Sequence, residues 1–99
     1  MTNKMEVSIE ELELGELRER IEMYEEAGIF DELSAYAVQV GNNQKHHLKI
    51  KNDEKKILYV LLSQRGNVRE LRLDTASKNL NEFGFSSFTV LITGDVTFD

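Results

Sequence analysis

The stretch "RELRLDTASKNLNEFGF", residues 69–85, decides the fold, because a strand, a helix and a helix stop follow one another within it. Leu71 and Leu73 alternate with charged residues, a pattern typical of a strand with one buried face. Three apolar residues then recur at helical spacing and predict a buried stripe: Ala76, Leu80 and Phe83. Gly84 supplies the left-handed position that ends a helix. The stretch therefore predicts a strand that leads directly into a short second helix.

Further strands are predicted on both sides of this unit. Residues 46–51 alternate, with Leu48 and Ile50 on one side, while residues 57–62 are apolar on both alternations. Apolar residues on both sides are typical of a central strand, so we expect residues 57–62 to form the middle of the sheet. The sequences NDEK and QRGN provide turns, and residues 88–92 return the chain to the sheet.

Residues 34–40 fit either a strand or a helix. Tyr36 and Val40 lie at helical spacing from Leu33, but Tyr36, Val38 and Val40 also alternate with small or polar residues. The segment runs into Gly-Asn-Asn, which is typical of a turn between strands. We favour the strand and leave the helix open.

An amphipathic helix is predicted near the N-terminus. Ser8 and Glu11 have the spacing of a capping box, which places the helix start at Ser8, and Gly28 supplies its end. Its apolar stripe consists of Leu14, Leu17, Ile21 and Tyr24.

These elements predict an α+β fold with an N-terminal helix, a four-stranded antiparallel meander, a short second helix and a final strand. We expect the helices on one face of the sheet. The predicted core contains Leu17, Ile21, Leu48, Ile50, Tyr59, Leu61, Leu71, Leu80, Phe83 and Val90. With 99 residues, 40% of them hydrophobic, the chain predicts one domain over residues 1–99, of which residues 1–7 are expected to be flexible.

The composition favours a cytoplasmic protein that does not enter a membrane. The chain has no cysteine, which fits a reducing compartment. Its longest apolar run, residues 57–62, is too short to span a bilayer, and the N-terminal residues lack the apolar centre of a signal peptide.

Catalytic, metal and cofactor sites are not expected. The two histidines, His46 and His47, are adjacent on a predicted strand and therefore point to opposite faces of the sheet. We do not expect them to bind one metal ion or to act together in one catalytic site. The six glycines are scattered singly, so no phosphate-binding loop is formed. We predict a protein that is not an enzyme and binds no cofactor.

Charge is segregated along the chain, although the net charge is −6. Residues 1–43 carry a net charge of −8, residues 44–78 carry +5, and residues 79–99 carry −3. An acidic segment followed by a basic one indicates two surfaces that prefer different partners.

Residues 57–92 resemble small uncharacterised accessory proteins encoded on plasmids and integrative or other mobile elements. The resemblance rests on "YVLLSQRGNVRELRLDTASKNLNEFGFSSFTV", in which an arginine-glycine hairpin precedes a short helix, a glycine and a Phe-x-Val strand. It implies an accessory protein of a mobile genetic element, found on a plasmid or in a phage.

Two binding hypotheses follow. In the first, the protein is a non-enzymatic inhibitor of a host nucleic-acid-handling or defence complex, of the anti-CRISPR or anti-restriction type, and its acidic helix docks on a basic protein surface. The expected docking residues are Leu12, Glu16, Glu19, Glu22, Met23 and Glu26. In the alternative, a regulatory or partition accessory protein binds nucleic-acid phosphates through Lys45, His47, Lys49, Lys51, Arg65, Arg69 and Arg72. Whether the chain forms a homodimer, in which the acidic and basic segments of two copies meet, is left open.

Overall fold

The computed structural model describes residues 6–42 and 44–99, which form an α+β fold of two helices and a six-stranded mixed sheet. Residues 1–5, part of the expected flexible stretch 1–7, lie outside the described residues. The elements in chain order are β1 Ser8–Leu12, α1 Leu14–Glu26, a 3₁₀ turn Phe30–Glu32, β2 Leu33–Gln39, β3 Lys45–Asn52, β4 Ile57–Leu61, β5 Glu70–Arg72, α2 Leu73–Glu82 and β6 Thr89–Leu91.

Strand β3 lies at the centre of the sheet, whose order is β1-β4-β3-β2-β6. β2 pairs antiparallel with one edge of β3, while β4 and β5 pair antiparallel with successive parts of its other edge. The expected meander is therefore wrong in two respects: β4 is not the central strand, and β5 pairs with β3 instead of β4. Beyond β4, the chain is joined to the segment before β5 by an isolated bridge between Leu62 and Val68. The final strand β6 runs parallel to β2.

The segment before α1 is a strand, not the first turn of a helix. Ser8 to Leu12 form β1, which pairs parallel with β4 in the register of Ser8 with Ile57 and Leu12 with Leu61. The helix begins only after Glu13, where the Glu16 side chain accepts a hydrogen bond from the Glu13 amide and completes a capping box. The capping-box spacing of Ser8 and Glu11 was thus misleading, because pairing with the β4 edge outweighs this local signal.

One hydrophobic cluster joins both helices to the sheet. Leu17 of α1 and Leu80 of α2 belong to the same buried cluster as Leu48, Ile50 and Tyr59. Alternation along β3 places Leu48 and Ile50 on this helix-side face and places Lys49 and Lys51 on the opposite face, here called the second face.

The predicted core residues are buried, except for Val90. Val90 is 38% exposed, because β6 has only three residues and forms an edge of the sheet. The choice of a strand over a helix for residues 34–40 is confirmed by β2. Neither helix in the described part of the chain is long and apolar enough to cross a membrane.

Candidate functional site

Helix α1 presents a continuous acidic surface to solvent. Leu17, Ile21 and Tyr24 are buried against the sheet, so the residues on the other side of the helix point outward. These outward residues, called the acidic face below, include the exposed side chains of Glu16, Glu19, Glu22, Met23 and Glu26.

The glutamates of the acidic face keep their charge unpaired. Within residues 6–42 and 44–99, none of them takes part in an ion pair. The two arginines of α1 form ion pairs with carboxylates of other elements. Arg20 lies 2.7 Å from Glu10 of β1, and Arg18 lies 4.0 Å from Glu82 of α2. A concentrated negative potential therefore remains on the outer side of α1.

Leu12 does not belong to this surface, contrary to expectation. It ends β1 beside Leu61, is 8% exposed and forms part of the main core. Its assignment to the docking surface assumed that one helix continued through residues 12–23, which would return both apolar residues to one side. Because residues 8–12 form β1 and not a helix, Leu12 and Met23 do not lie on one side of α1. Met23 is therefore the one apolar docking residue that remains on the acidic face, and it is 61% exposed.

A hollow beside Met23 was not foreseen from the sequence. It lies between α1 and β4 and has a volume of about 330 Å³. Its lining is mainly apolar or aromatic and also includes three charged side chains: Met23, Tyr24, Ala27, Ile29, Ile57 and Tyr59, with Glu10, Arg20 and Lys55. Periodicity can identify each apolar stripe, but it cannot show that two stripes leave a gap between them. The acidic face therefore lies beside a concave, mainly apolar surface at Met23.

The sheet lysines of the alternative hypothesis are covered. Lys49 and Lys51 of β3 have side chains only 13% and 11% exposed, because residues 94–99, here called the C-terminal segment, cross the second face. The Lys49 ammonium donates to both carboxylate oxygens of Asp95, at 2.9 and 3.0 Å. Lys51 donates to the main-chain oxygen of Thr97 at 2.8 Å.

Their ionisation reflects this pairing. Lys51 also contacts Asp53 at 2.9 Å, and that hydrogen bond raises the pKa of Lys51 and lowers the pKa of Asp53. Burial alone would raise the pKa of Asp95, but hydrogen bonds from Lys49 and from the Val96 amide outweigh it and lower the pKa. At neutral pH the charges of Lys49 and Lys51 are therefore neutralised from within the molecule.

The remaining basic residues are divided between the second face and the connection after β4. Arg65 and Arg69 lie in the connection after β4. Arg72 ends β5 opposite Lys45 of β3, and its guanidinium lies 3.6 Å from the Asp74 carboxylate. Lys45 and His47 share the second face with Lys49. Burial, followed by the charge of Lys49, lowers the pKa of His47, which favours the neutral ring.

The two histidines point to opposite faces, as predicted. His46 lies on the helix side, is 6% exposed and has no hydrogen-bond partner for Nδ1 among the described residues. It lines a groove of about 880 Å³, whose wall also includes the exposed Val90 and Ile92. No group of three or more His, Asp or Glu side chains in residues 6–42 and 44–99 is arranged to hold a metal ion.

Similarity to known proteins assigns no function to the chain. No family model matches it, and no curated protein or solved structure matches it either. The resemblance of residues 57–92 to accessory proteins of mobile elements therefore stays a prediction.

Proposed function

We propose that this protein is a non-enzymatic protein-binding module whose acidic face on α1 docks on a basic surface of a partner protein. The observation that carries the proposal is a contrast in charge pairing. The glutamates of α1 are exposed and unpaired in the described structure, whereas Lys49 and Lys51 of the sheet are engaged by the C-terminal segment. The charge available to a partner is therefore mainly negative, in agreement with the net charge of −6.

Met23 and the adjacent hollow supply the apolar part of the docking surface. Exposed methionine adapts its flexible thioether chain to differently shaped partners, and desolvated apolar contacts provide most of the affinity in protein interfaces. The surrounding carboxylates accelerate association with a positively charged surface and exclude negatively charged partners. The site can therefore combine selection by charge with contact at Met23.

Proteins that handle nucleic acids are the partner class that fits these charges, because their working surfaces are basic where they contact phosphates. A module that covers such a surface would inhibit the host complex by competing with its nucleic acid. This supports the role of an inhibitor of the anti-CRISPR or anti-restriction type, carried by a mobile element and acting in the cytoplasm. Direct nucleic-acid binding is disfavoured, because Lys49 and Lys51 are covered and paired.

The test begins with capture of partners by the tagged full-length protein from host extract, identified by mass spectrometry. Association and dissociation rates with the captured protein are then measured at several salt concentrations. Replacing Glu16, Glu19 and Glu22 with lysine should slow association and flatten its salt dependence, because attraction between charges controls encounter. Met23→Ala should instead accelerate dissociation, because apolar contact is lost.

The matched control reverses three exposed carboxylates outside α1, namely Asp31, Glu54 and Glu70, and changes the net charge by the same amount. The control should retain faster association than the α1 variant. If both triple variants bind equally well, or if the captured partner binds through an acidic surface, the acidic face of α1 is not the docking site.

A further inference from the structure

The C-terminal segment is seated on the second face by side-chain contacts. Besides the bonds from Lys49 and Lys51, Lys56 donates to the main-chain oxygen of Asp99. No backbone-to-backbone hydrogen bond joins residues 94–99 to other described parts of the chain. The segment therefore lies on the sheet as a bound peptide would, without being a strand of it.

Aromatic contacts fix the position of this segment along the sheet. Phe98 places its ring centroid 5.4 Å from the Lys51 ammonium and 5.9 Å from that of Lys56. Lys51 also lies 5.8 Å from the ring centroid of Tyr36, so its ammonium contacts one ring of the sheet and one ring of the segment. Such cation–π contacts gain strength where the ammonium is shielded from water, as Lys51 is.

The strand that carries Lys49 and Lys51 is held in place without the segment. Lys49 and Lys51 belong to the central strand β3, which has paired strands on both edges. Asp53 contacts Lys51 at 2.9 Å and Lys56 at 3.8 Å, which holds the two ammonium groups together. A rigid receiving surface and a segment without backbone pairing are the conditions under which one peptide can replace another.

From these contacts we infer that the second face is a binding site for an extended acidic peptide, which the C-terminal segment occupies in the free protein and a partner's segment can take over. The preferred ligand has an aspartate for Lys49 and, three residues later, an aromatic side chain, as in Asp95 and Phe98. The residue after the aromatic one contributes through its main chain, as Asp99 does with Lys56 and Asp53.

A peptide fits this site better than a nucleic acid does. Asp53 lies between Lys51 and Lys56 and accepts a hydrogen bond from the Asp99 amide at 3.4 Å. A peptide offers a carboxylate for Lys49, main-chain oxygens for Lys51 and Lys56, and an N–H group for Asp53. A phosphate backbone has no donor for Asp53 and would be repelled by its charge. The site is separate from the acidic face of α1, and it does not depend on that function.

The tethered segment competes with any free peptide, because its local concentration is high. Weakening the segment in the full-length protein should therefore expose the site. The variant Asp95→Asn with Phe98→Ser removes the ion pair with Lys49 and the aromatic contact, but it leaves every residue of the receiving surface intact.

The experiment measures binding of a fluorescent peptide of the sequence TGDVTFD, residues 93–99, by fluorescence anisotropy. The double variant should bind the peptide roughly tenfold to a hundredfold more tightly than the wild type does, because its own weakened C-terminal segment competes less for the second face. Adding Lys49→Glu to the double variant should abolish binding. Asp31→Asn, which removes an exposed carboxylate far along the chain from the segment, should behave as the wild type does.

Circular dichroism and thermal melting show whether each variant is folded. If the double variant does not fold, the peptide affinity of Phe98→Ser alone is compared with that of the wild type. This single variant keeps the ion pair between Asp95 and Lys49. Equal affinity of the folded variant and the wild type for the peptide would overturn the proposal, as would binding that survives Lys49→Glu. Tighter binding of a thymidine oligonucleotide than of the peptide, at physiological salt, would also overturn it in favour of a nucleic-acid site.

Discussion

The hydroxyl oxygens of Tyr24 and Tyr59 lie 2.7 Å apart inside the core, and their hydrogen bond joins α1 to β4. The two rings meet edge to face, with centroids 6.2 Å apart. Asn52 of β3 extends the network, because its side-chain amide donates to Tyr24 at 3.4 Å and to Glu32 at 3.1 Å. One polar network thus connects a helix and two strands below the hollow beside Met23.

Tyr59→Phe should lower the free energy of unfolding by about 1–3 kcal/mol, because the buried Tyr24 hydroxyl would keep only the long bond from Asn52. Tyr24→Phe together with Tyr59→Phe should cost less than the sum of the single changes, since the double variant leaves neither hydroxyl unpaired. Urea unfolding of the four proteins measures this coupling. Strictly additive losses would mean that the two hydroxyls do not stabilise each other.

Alkaline pH should destabilise the fold through Tyr59. Burial, and then the hydrogen bond with Tyr24, raise the pKa of Tyr59 well above its ordinary value of 10.0. The folded protein holds this proton more tightly than the unfolded chain, so the stabilisation is complete below pH 10.0 and is lost as the pH rises toward the folded pKa. Urea unfolding between about pH 9 and 12 should show a steeper loss for the wild type than for Tyr59→Phe. Parallel curves would contradict this assignment.

Local periodicity could predict most of the elements and their buried sides. The spacing of Leu17, Ile21 and Tyr24 identifies the core side of α1, and the alternation of Leu48 and Ile50 identifies the helix-side face of β3. Both depend on neighbours within a few residues, which a single sequence displays.

Partners distant in the chain could not be predicted in the same way. Residues 8–12 carry a helix-start pattern, and their strand state depends on the β4 edge at Ile57–Leu61. The cover over Lys49 and Lys51 likewise depends on residues 46 positions later. Counting charges therefore indicated a basic surface, whereas the fold neutralises its central lysines. The acidic face of α1 could be predicted except for Leu12, because it is a local helix property.

Leu12→Ala should destabilise the fold much more than Met23→Ala, because Leu12 lies in the core and Met23 lies on the surface. Leu12 is 8% exposed within the main cluster, so its truncation should lower the free energy of unfolding by about 2–5 kcal/mol. Met23 is exposed, and its truncation should change stability by less than about 0.5 kcal/mol. Chemical denaturation of both variants checks this. A small loss for Leu12→Ala would mean that β1 does not pack as described, and a large loss for Met23→Ala would remove it from the docking surface.

Acid should release the C-terminal segment from Lys49. Partial desolvation would raise the pKa of Asp95, but hydrogen bonds from Lys49 and from the Val96 amide lower it below its ordinary value of 3.8. The contribution of Asp95 to stability is therefore present above pH 3.8 and is lost as the pH falls through the folded pKa. Because Asp95 is largely exposed, Asp95→Asn should cost no more than about 1 kcal/mol at neutral pH.

The stability difference between the wild type and Asp95→Asn should therefore shrink to nothing when urea unfolding is repeated at acidic pH. Urea unfolding of both proteins at a series of pH values down to about pH 2 measures how this difference is lost. Asp31→Asn provides the control, since Asp31 forms no ion pair within the described ranges 6–42 and 44–99. A difference that stays constant through the acid range would show that Asp95 stabilises the fold through packing and not through its charge on Lys49. The segment would then be part of the second face rather than a ligand of its lysines.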